Sequence, residues 1–139
     1  MMIREVTKSD LAAVTQLLQE LSVFYPEKIQ GEDRWLSFTS QKNLLAIVAE
    51  IDNVIVGYGT LLVEQKIRGG KAGHIEDVVI HPDFRRTGIG RAILDFLAGH
   101  AMELGCYKLV LQCSEENRRF YELGGYRQTH LAMQKPLGP

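Results

Sequence analysis

Residues 81 to 90 read HPDFRRTGIG, and they gather two adjacent arginines and two glycines between a β-branched run and an apolar helix. The run is Val78, Val79 and Ile80; the helix is predicted to begin near Ile89. The chemistry that suits this set is anion binding. The first turn of a helix carries N–H groups without intrahelical partners, and aligned peptide dipoles add partial positive charge there. Gly88 and Gly90 lack a Cβ, so an anion can approach the bare backbone, while Arg85 and Arg86 supply forked, positively charged donors. A diphosphate is the ligand that such a helix start would cradle.

Spacing excludes two phosphate loops. A Walker A loop needs G-x-x-x-x-G-K-[ST], and no lysine follows Gly90; the dinucleotide fingerprint needs G-x-G-x-x-G, and Ile93 stands three after Gly90. What remains is Arg85-x-x-Gly88-x-Gly90. It resembles the acetyl-coenzyme A pyrophosphate loop of the GNAT superfamily of N-acetyltransferases.

The elements that must position this loop follow from periodicity. MIREVT reads as a strand, and KSDLAAVTQLLQELSVF as a helix with Ser9 or Asp10 as N-cap and Leu11, Val14, Leu17, Leu18 and Leu21 on one face. Pro26 is expected to end that region, before a shorter helix in GEDRWLSFTSQ. LLAIVAEI and VIVGYGTLLVEQ flank Asp52-Asn53, a hairpin signal, and Gly57 and Gly59 suggest a bulge in the second strand. RGGKAG then turns into the central strand HIEDVVI. After the arginine loop come the helix GRAILDFLAGHAMEL, a strand YKLVLQC, and a compact helix SEENRRFYELGG with Ser114 as N-cap. A last strand is predicted from about Tyr126 to Gln134, before a Pro/Gly tail. The order β-α-α-β-β-β-α-β-α-β predicts an α/β (α+β) fold, a mixed central β-sheet flanked by helices.

Composition bounds the function class. At 139 residues with 45% hydrophobic residues, one domain with a real core is expected over residues 1–139. A net charge of −1 lacks the basic excess of a nucleic-acid binder. Neither a membrane span of roughly 18 apolar residues nor a signal peptide is visible, so a cytoplasmic location is expected. Cys106 and Cys113 fit no metal spacing and read as small buried hydrophobes on opposite faces of one strand. His74, His81, His100 and His130 are scattered, so no metal is expected.

The same element order, with the arginine loop between the fourth strand and the third helix, is that of the GNAT superfamily. Within it, G-H-I-E-D-V-V, G-C-Y-K and E-N-x-x-F-Y-E-x-x-G-Y resemble glucosamine-6-phosphate N-acetyltransferases. The resemblance implies acetyl-CoA as co-substrate, a small-molecule amine as acceptor with glucosamine 6-phosphate as the candidate, and a homodimer with the C-terminal strand near the interface. It implies that Arg85 and the amides of Arg86, Thr87, Gly88, Ile89 and Gly90 bind pyrophosphate. It also implies that the backbone of Val78, Val79 and Ile80 pairs with the pantetheine arm like an added strand, their side chains remaining core.

Tyr121 is the candidate general acid. It lies i,i+4 from Asn117 on one helix face, and the family places this hydroxyl near the thioester sulfur. A phenol with an ordinary pKa of about 10 is protonated at neutral pH. The competing reading is a core tyrosine beside Phe120. Glu76 and Asp77 are implied to bind the sugar, Glu76 also as a water-mediated acceptor of the ammonium proton. As neighbours on a strand they point to opposite faces unless the strand bends or bulges, and solvated carboxylates are the alternative.

Two features depart from the subfamily. Gln112 stands where it carries an acidic residue that contacts the amino-sugar, and the C-terminus offers only Lys135 for the sugar phosphate. Lys66, Arg68 and Lys71 are alternative phosphate contacts, or simply solvated charge. The acceptor could therefore be another amine, such as a polyamine, an amino acid or a protein N-terminus. From a different class, a non-catalytic CoA-binding module fits the same loop.

Overall fold

A computed structural model describes residues 1–25 and 31–138, residues 31–33 by backbone alone. In chain order the elements are β1 (Met2–Glu5), α1 (Leu11–Leu18), α2 (Gly31–Thr39), β2 (Leu44–Ile51), β3 (Val54–Gln65), β4 (Lys71–Ile80), α3 (Ile89–Glu103), β5 (Cys106–Val110) and α4 (Arg118–Leu123). Short 3-10 turns occupy Lys8–Asp10, Pro82–Phe84 and Glu115–Asn117. The five strands form one sheet in the order β1-β2-β3-β4-β5, antiparallel except for the β4–β5 pair. A parallel pair needs a crossover, and α3 supplies it.

Helix α3 forms because Ile89, Ile93, Leu94, Leu97 and Ala101 fall on one face, and all five are buried against Ile47, Ala49, Leu61 and Ile75 of the sheet. Leu104, the last residue of the predicted helix, lies past the helix end and is 40% exposed. On the other side of the sheet, Val14 and Leu17 of α1 pack with Ala46, Val48, Tyr58 and Val79. Helix α1 ends at Leu18, so the predicted Leu21 is outside it and half exposed. Pro26 lies outside the described residues. Asp10 does not cap α1 with its side chain; its carboxylate turns back to accept from the Thr7 N–H and from Arg4.

Asp52 and Asn53 both take positive φ, 49° and 64°, and join β2 to β3 as a two-residue hairpin. The bulge suggested in β3 is present: Ala49 pairs with Gly57 and Glu50 with Ile55, which leaves Val56 as the extra residue. The glycines themselves serve close packing. A Cβ on Gly57 would stand 2.7 Å from Ile93 Cδ1, and one on Gly59 3.0 Å from Ile93 Cγ2. Small residues here let α3 settle directly on β3.

Residues 126–138 form no strand, contrary to the expected sixth. Alternating apolar residues make a strand only where a partner edge satisfies their backbone. Here the Tyr126 N–H turns back to the Tyr121 carbonyl at 3.1 Å, and Leu131, Met133 and Leu137 are exposed. The cysteines are both free, but Cys113 lies beyond β5 and is exposed, so it is not the buried hydrophobe that its type suggests.

Candidate active site

The arginine loop is shaped by its own backbone. After β4 the His81 N–H donates to the Val56 carbonyl at 2.8 Å, and the Phe84 N–H donates to the His81 carbonyl at 2.9 Å. The Thr87 hydroxyl donates to the Phe84 carbonyl. Arg86 (φ 63°) and Gly88 (φ 89°) are both left-handed, which turns the chain sharply into α3. The first helical bond runs from the Ala92 N–H to the Gly88 carbonyl at 3.0 Å, so the amides of Ile89, Gly90 and Arg91 precede any helical acceptor. Residues 85 to 88 are exposed, and a Cβ on Gly88 would meet open space. Unpaired amides, two exposed arginines and free volume together fit a diphosphate. Ile89 presents only its backbone to the loop, since its side chain is buried in the core.

Arg85 already faces an anion. Its Nη2 lies 3.5 Å from Oε2 of Glu20, in the segment after α1. Nothing in the spacing of these two residues signals the contact; the folding of β2, β3 and β4, which separate them in the chain, brings them together.

Beside the loop, β4 and β5 part. Their ladder runs from Lys71 opposite Cys106 to His74 opposite Val110 and goes no further. The β5-side edge of Val78, Val79 and Ile80 is therefore outside that ladder, which suits an extended, amide-bearing ligand laid along it.

Glu76 and Asp77 stand at a second bulge. Tyr58 pairs with Val79 and Thr60 with Glu76, so two steps on β3 oppose three on β4. Ile75 and Val78 both belong to the α3-side core, although three residues apart. Asp77 carries the distortion with φ 53°, and both carboxylate residues emerge exposed. The strand thus takes the irregularity that regular alternation forbids. Burial, and secondarily the charge of Asp77, pushes the Tyr58 phenol above its ordinary range, which places Asp77 near the α1-side tyrosine.

Tyr121 sits half-buried on α4, with the Phe120 ring 5.1 Å and the Tyr126 ring 5.9 Å away, both edge-on. Burial first, then the proximity of Cys113 and Tyr126, pushes its phenol above the ordinary value of 10. Two contacts fix α4 against the loop. Phe120 Cζ would lie 3.0 Å from a Cβ on Gly90, and Arg91 Nη1 donates to the Leu123 carbonyl at 3.1 Å. The expected helix from Ser114 is a 3-10 turn followed by α4, and exposed Asn117 falls at their junction.

The structure therefore groups Val78 to Ile80, Arg85 to Gly90 and α4 around the start of α3, with Glu76 and Asp77 just upstream on β4. Gln112 is exposed beyond the end of β5, and Lys135 is exposed on the C-terminal segment. Lys71 and Lys66 have other partners: Lys71 donates to the Leu104 carbonyl at 3.0 Å, and Lys66 lies 3.2 Å from Glu64. Sequence reasoning missed Glu20 and Thr60, whose partners Arg85 and Glu76 lie in distant segments of the chain.

The chain and its fold are similar to those of known proteins. The acetyltransferase (GNAT) family model matches residues 12–125. A glucosamine 6-phosphate N-acetyltransferase of Arabidopsis thaliana is 38% identical over 101 residues, covering 71% of this chain and 68% of that protein. One from Trypanosoma brucei brucei is 33% identical, covering 97% of this chain and 95% of its own length. The crystal structure of glucosamine-6-phosphate N-acetyltransferase from Arabidopsis thaliana superposes with a TM-score of 0.89 at 33% identity, covering 99% of this chain and 98% of that one.

Proposed function

From the premise that this chain belongs to the GNAT acetyltransferase family, we propose that residues 1–139 form one acetyltransferase domain whose acceptor is glucosamine 6-phosphate. The chain is an acyltransferase that moves an acetyl group from acetyl-CoA to a primary amine. The observation that carries the site reading is the parting of β4 from β5 beside a helix start with unpaired amides.

Bound acetyl-CoA supplies a thioester carbonyl open to attack. Arg85 and the amides of Arg86 through Gly90 hold the diphosphate, and the Val78–Ile80 backbone aligns the arm. Glu76 accepts a proton from the incoming ammonium through water. The C–N bond then forms as the C–S bond breaks, the Tyr121 hydroxyl gives its proton to the departing thiolate, and the second proton lost from nitrogen returns through water to the Tyr121 phenolate, leaving amide, free thiol and one proton on Glu76. Fixing the two reactants together can supply roughly 7–11 kcal/mol, against about 10²- to 10⁴-fold from one acid or base. Positioning dominates.

Two exposed residues favour a second reading, in which another small amine is the acceptor. Gln112 can accept a hydrogen bond but offers an ammonium no charge, and Lys135 is the one cation after His130. Release of free thiol from acetyl-CoA across a panel of amines separates the two. Glucosamine 6-phosphate should be turned over well ahead of unphosphorylated glucosamine. Equal rates for the two sugars would move the assignment to the second reading, and no release with any amine would favour a CoA-binding module.

The protein is further proposed to work as a homodimer in the cytoplasm. Strand β5 is a sheet edge, and the C-terminal segment carries exposed Leu131, Met133 and Leu137, an apolar set suited to a second copy. The two free cysteines suit a reducing compartment. Sedimentation equilibrium of the whole chain tests the dimer; a monomer at micromolar concentration would refute it.

A further inference from the structure

We propose that Thr60 is a positioning residue for the acceptor site, acting through the backbone of Glu76; this rests on the reading of Glu76 given above. Thr60 is 4% exposed, on a strand whose neighbouring residues Gly59 and Leu61 face the apolar α3 core. A buried hydroxyl is costly unless it is bonded, and valine would fill the same space on the same β-strand without that cost. The hydroxyl has a partner. Oγ1 of Thr60 donates to the carbonyl oxygen of Glu76 at 2.8 Å.

That bond sits where the register slips. Thr60 pairs with Glu76, the last regular pair before the extra residue Asp77. A bulge is free in principle to migrate along its strand by one residue, and each such step turns a side chain to the other face. Moving this one toward the N-terminus would send Glu76 toward the α3 core and away from Asp77. Asp77 also pays for its left-handed φ of 53°, a conformation that a non-glycine residue keeps only when its surroundings over-determine it. The Thr60 hydroxyl ties down the residue just before the strained one. It touches no substrate; it keeps the carboxylate of Glu76 on the exposed side.

Thr60→Val removes the hydroxyl at nearly constant volume, and Thr60→Ser keeps it while removing the methyl. With glucosamine 6-phosphate, or the best amine of the panel, Thr60→Val should lower kcat/KM for the amine roughly 5- to 50-fold, whereas Thr60→Ser should stay within about threefold of wild type. Acetyl-CoA affinity by calorimetry should move less than about threefold in both, since a lost carbonyl contact at Glu76 leaves the arginine loop intact. In a Glu76→Gln background, Thr60→Val should add little, because the two residues act as one unit. If Thr60→Val does not fold, Thr60→Ala carries the same test. Equal losses in the valine and serine variants, or a valine loss that adds in full to that of Glu76→Gln, overturn the positioning role. A fully active Glu76→Gln protein overturns the reading of Glu76 itself, and is seen before any Thr60 variant is compared.

Discussion

Phe120 closes over Gly90 so tightly that a Cβ on the glycine would stand 3.0 Å from the ring's Cζ. This contact joins the first turn of α3 to the helix that carries Tyr121, so the cofactor loop and the candidate acid share one wall. Gly90→Ala should push the Phe120 ring by a few tenths of an ångström and shift Tyr121 with it. Alanine also favours the helix by up to about 1 kcal/mol, which offsets the crowding. The expected outcome is a melting temperature near wild type with a single-turnover rate several-fold lower, roughly 3- to 10-fold by the sensitivity of reaction to misplacement. An unchanged rate would disconnect Phe120 from the position of Tyr121.

Arg85 and Glu20 give opposite predictions at one site. Arg85→Ala removes a charge-assisted contact to diphosphate of about 1.5–3 kcal/mol, so acetyl-CoA affinity should fall roughly 10- to 150-fold. Glu20→Gln removes the carboxylate 3.5 Å from the same guanidinium, an exposed pair in both partners. Affinity should therefore rise, by no more than about fivefold, because such pairs are weak. Calorimetry at low salt reads both. A Glu20→Gln protein that binds more weakly would mean that Glu20 steers Arg85 toward the ligand rather than competing for it. Gly88→Val should also impair binding, since φ 89° strains a β-branched residue and its side chain fills the open cradle.

Tyr121→Phe removes one hydroxyl and little packing area, so folding and acetyl-CoA affinity should hold. Loss should appear in kcat, by roughly 10- to 10³-fold, because the role proposed for the hydroxyl is at the leaving thiolate. Its pH signature follows from burial. The phenol is raised above 10, so the acidic form persists through the neutral and mildly alkaline range. The alkaline fall in the wild-type single-turnover rate that belongs to Tyr121 should therefore have its midpoint above pH 10, and Tyr121→Phe should lack that limb. Wild-type single-turnover rates in the variant would return Tyr121 to the core.

Asp10 predicts an acid limit to stability, away from the site. Arg4 donates to both its carboxylate oxygens, at 2.8 and 3.0 Å, and the Thr7 N–H donates at 2.8 Å. The hydrogen bond from Arg4 is the main reason that its pKa falls from 3.8 to about 2, with burial opposing the shift. A depressed carboxylate pKa stabilises the fold above the unfolded value, and that contribution is lost as pH falls from 3.8 through about 2. It amounts to about 2 kcal/mol, and Asp10→Asn should forfeit a similar amount at pH 7 and flatten the acid limb. Denaturant midpoints at pH 7, 4 and 2 measure it; an asparagine variant with the wild-type acid dependence would refute the assignment.

What the sequence determined by itself was local. Arg85 to Gly90 form one contiguous turn, and its left-handed glycine and unpaired helix amides depend on residues adjacent in the chain. The face of α3 and the Asp52-Asn53 hairpin were legible for the same reason, since periodicity and turn chemistry act over a few residues. Only the tertiary structure decided where pairing across strands governs geometry. That Glu76 and Asp77 emerge together required the slip between β3 and β4, and the Glu76 carbonyl beside the strained Asp77 is bonded by Thr60 on another strand. Likewise Glu20 reaches Arg85, and Phe120 reaches Gly90, because the sheet and its helices bring remote segments together. The predicted sixth strand shows the limit most directly. Alternation at residues 126–134 specifies which side chains could share a face, but a strand also needs its backbone laid against a neighbouring edge; β5 leaves its outer edge open and this segment does not pair with it, a matter that the assembled fold decides.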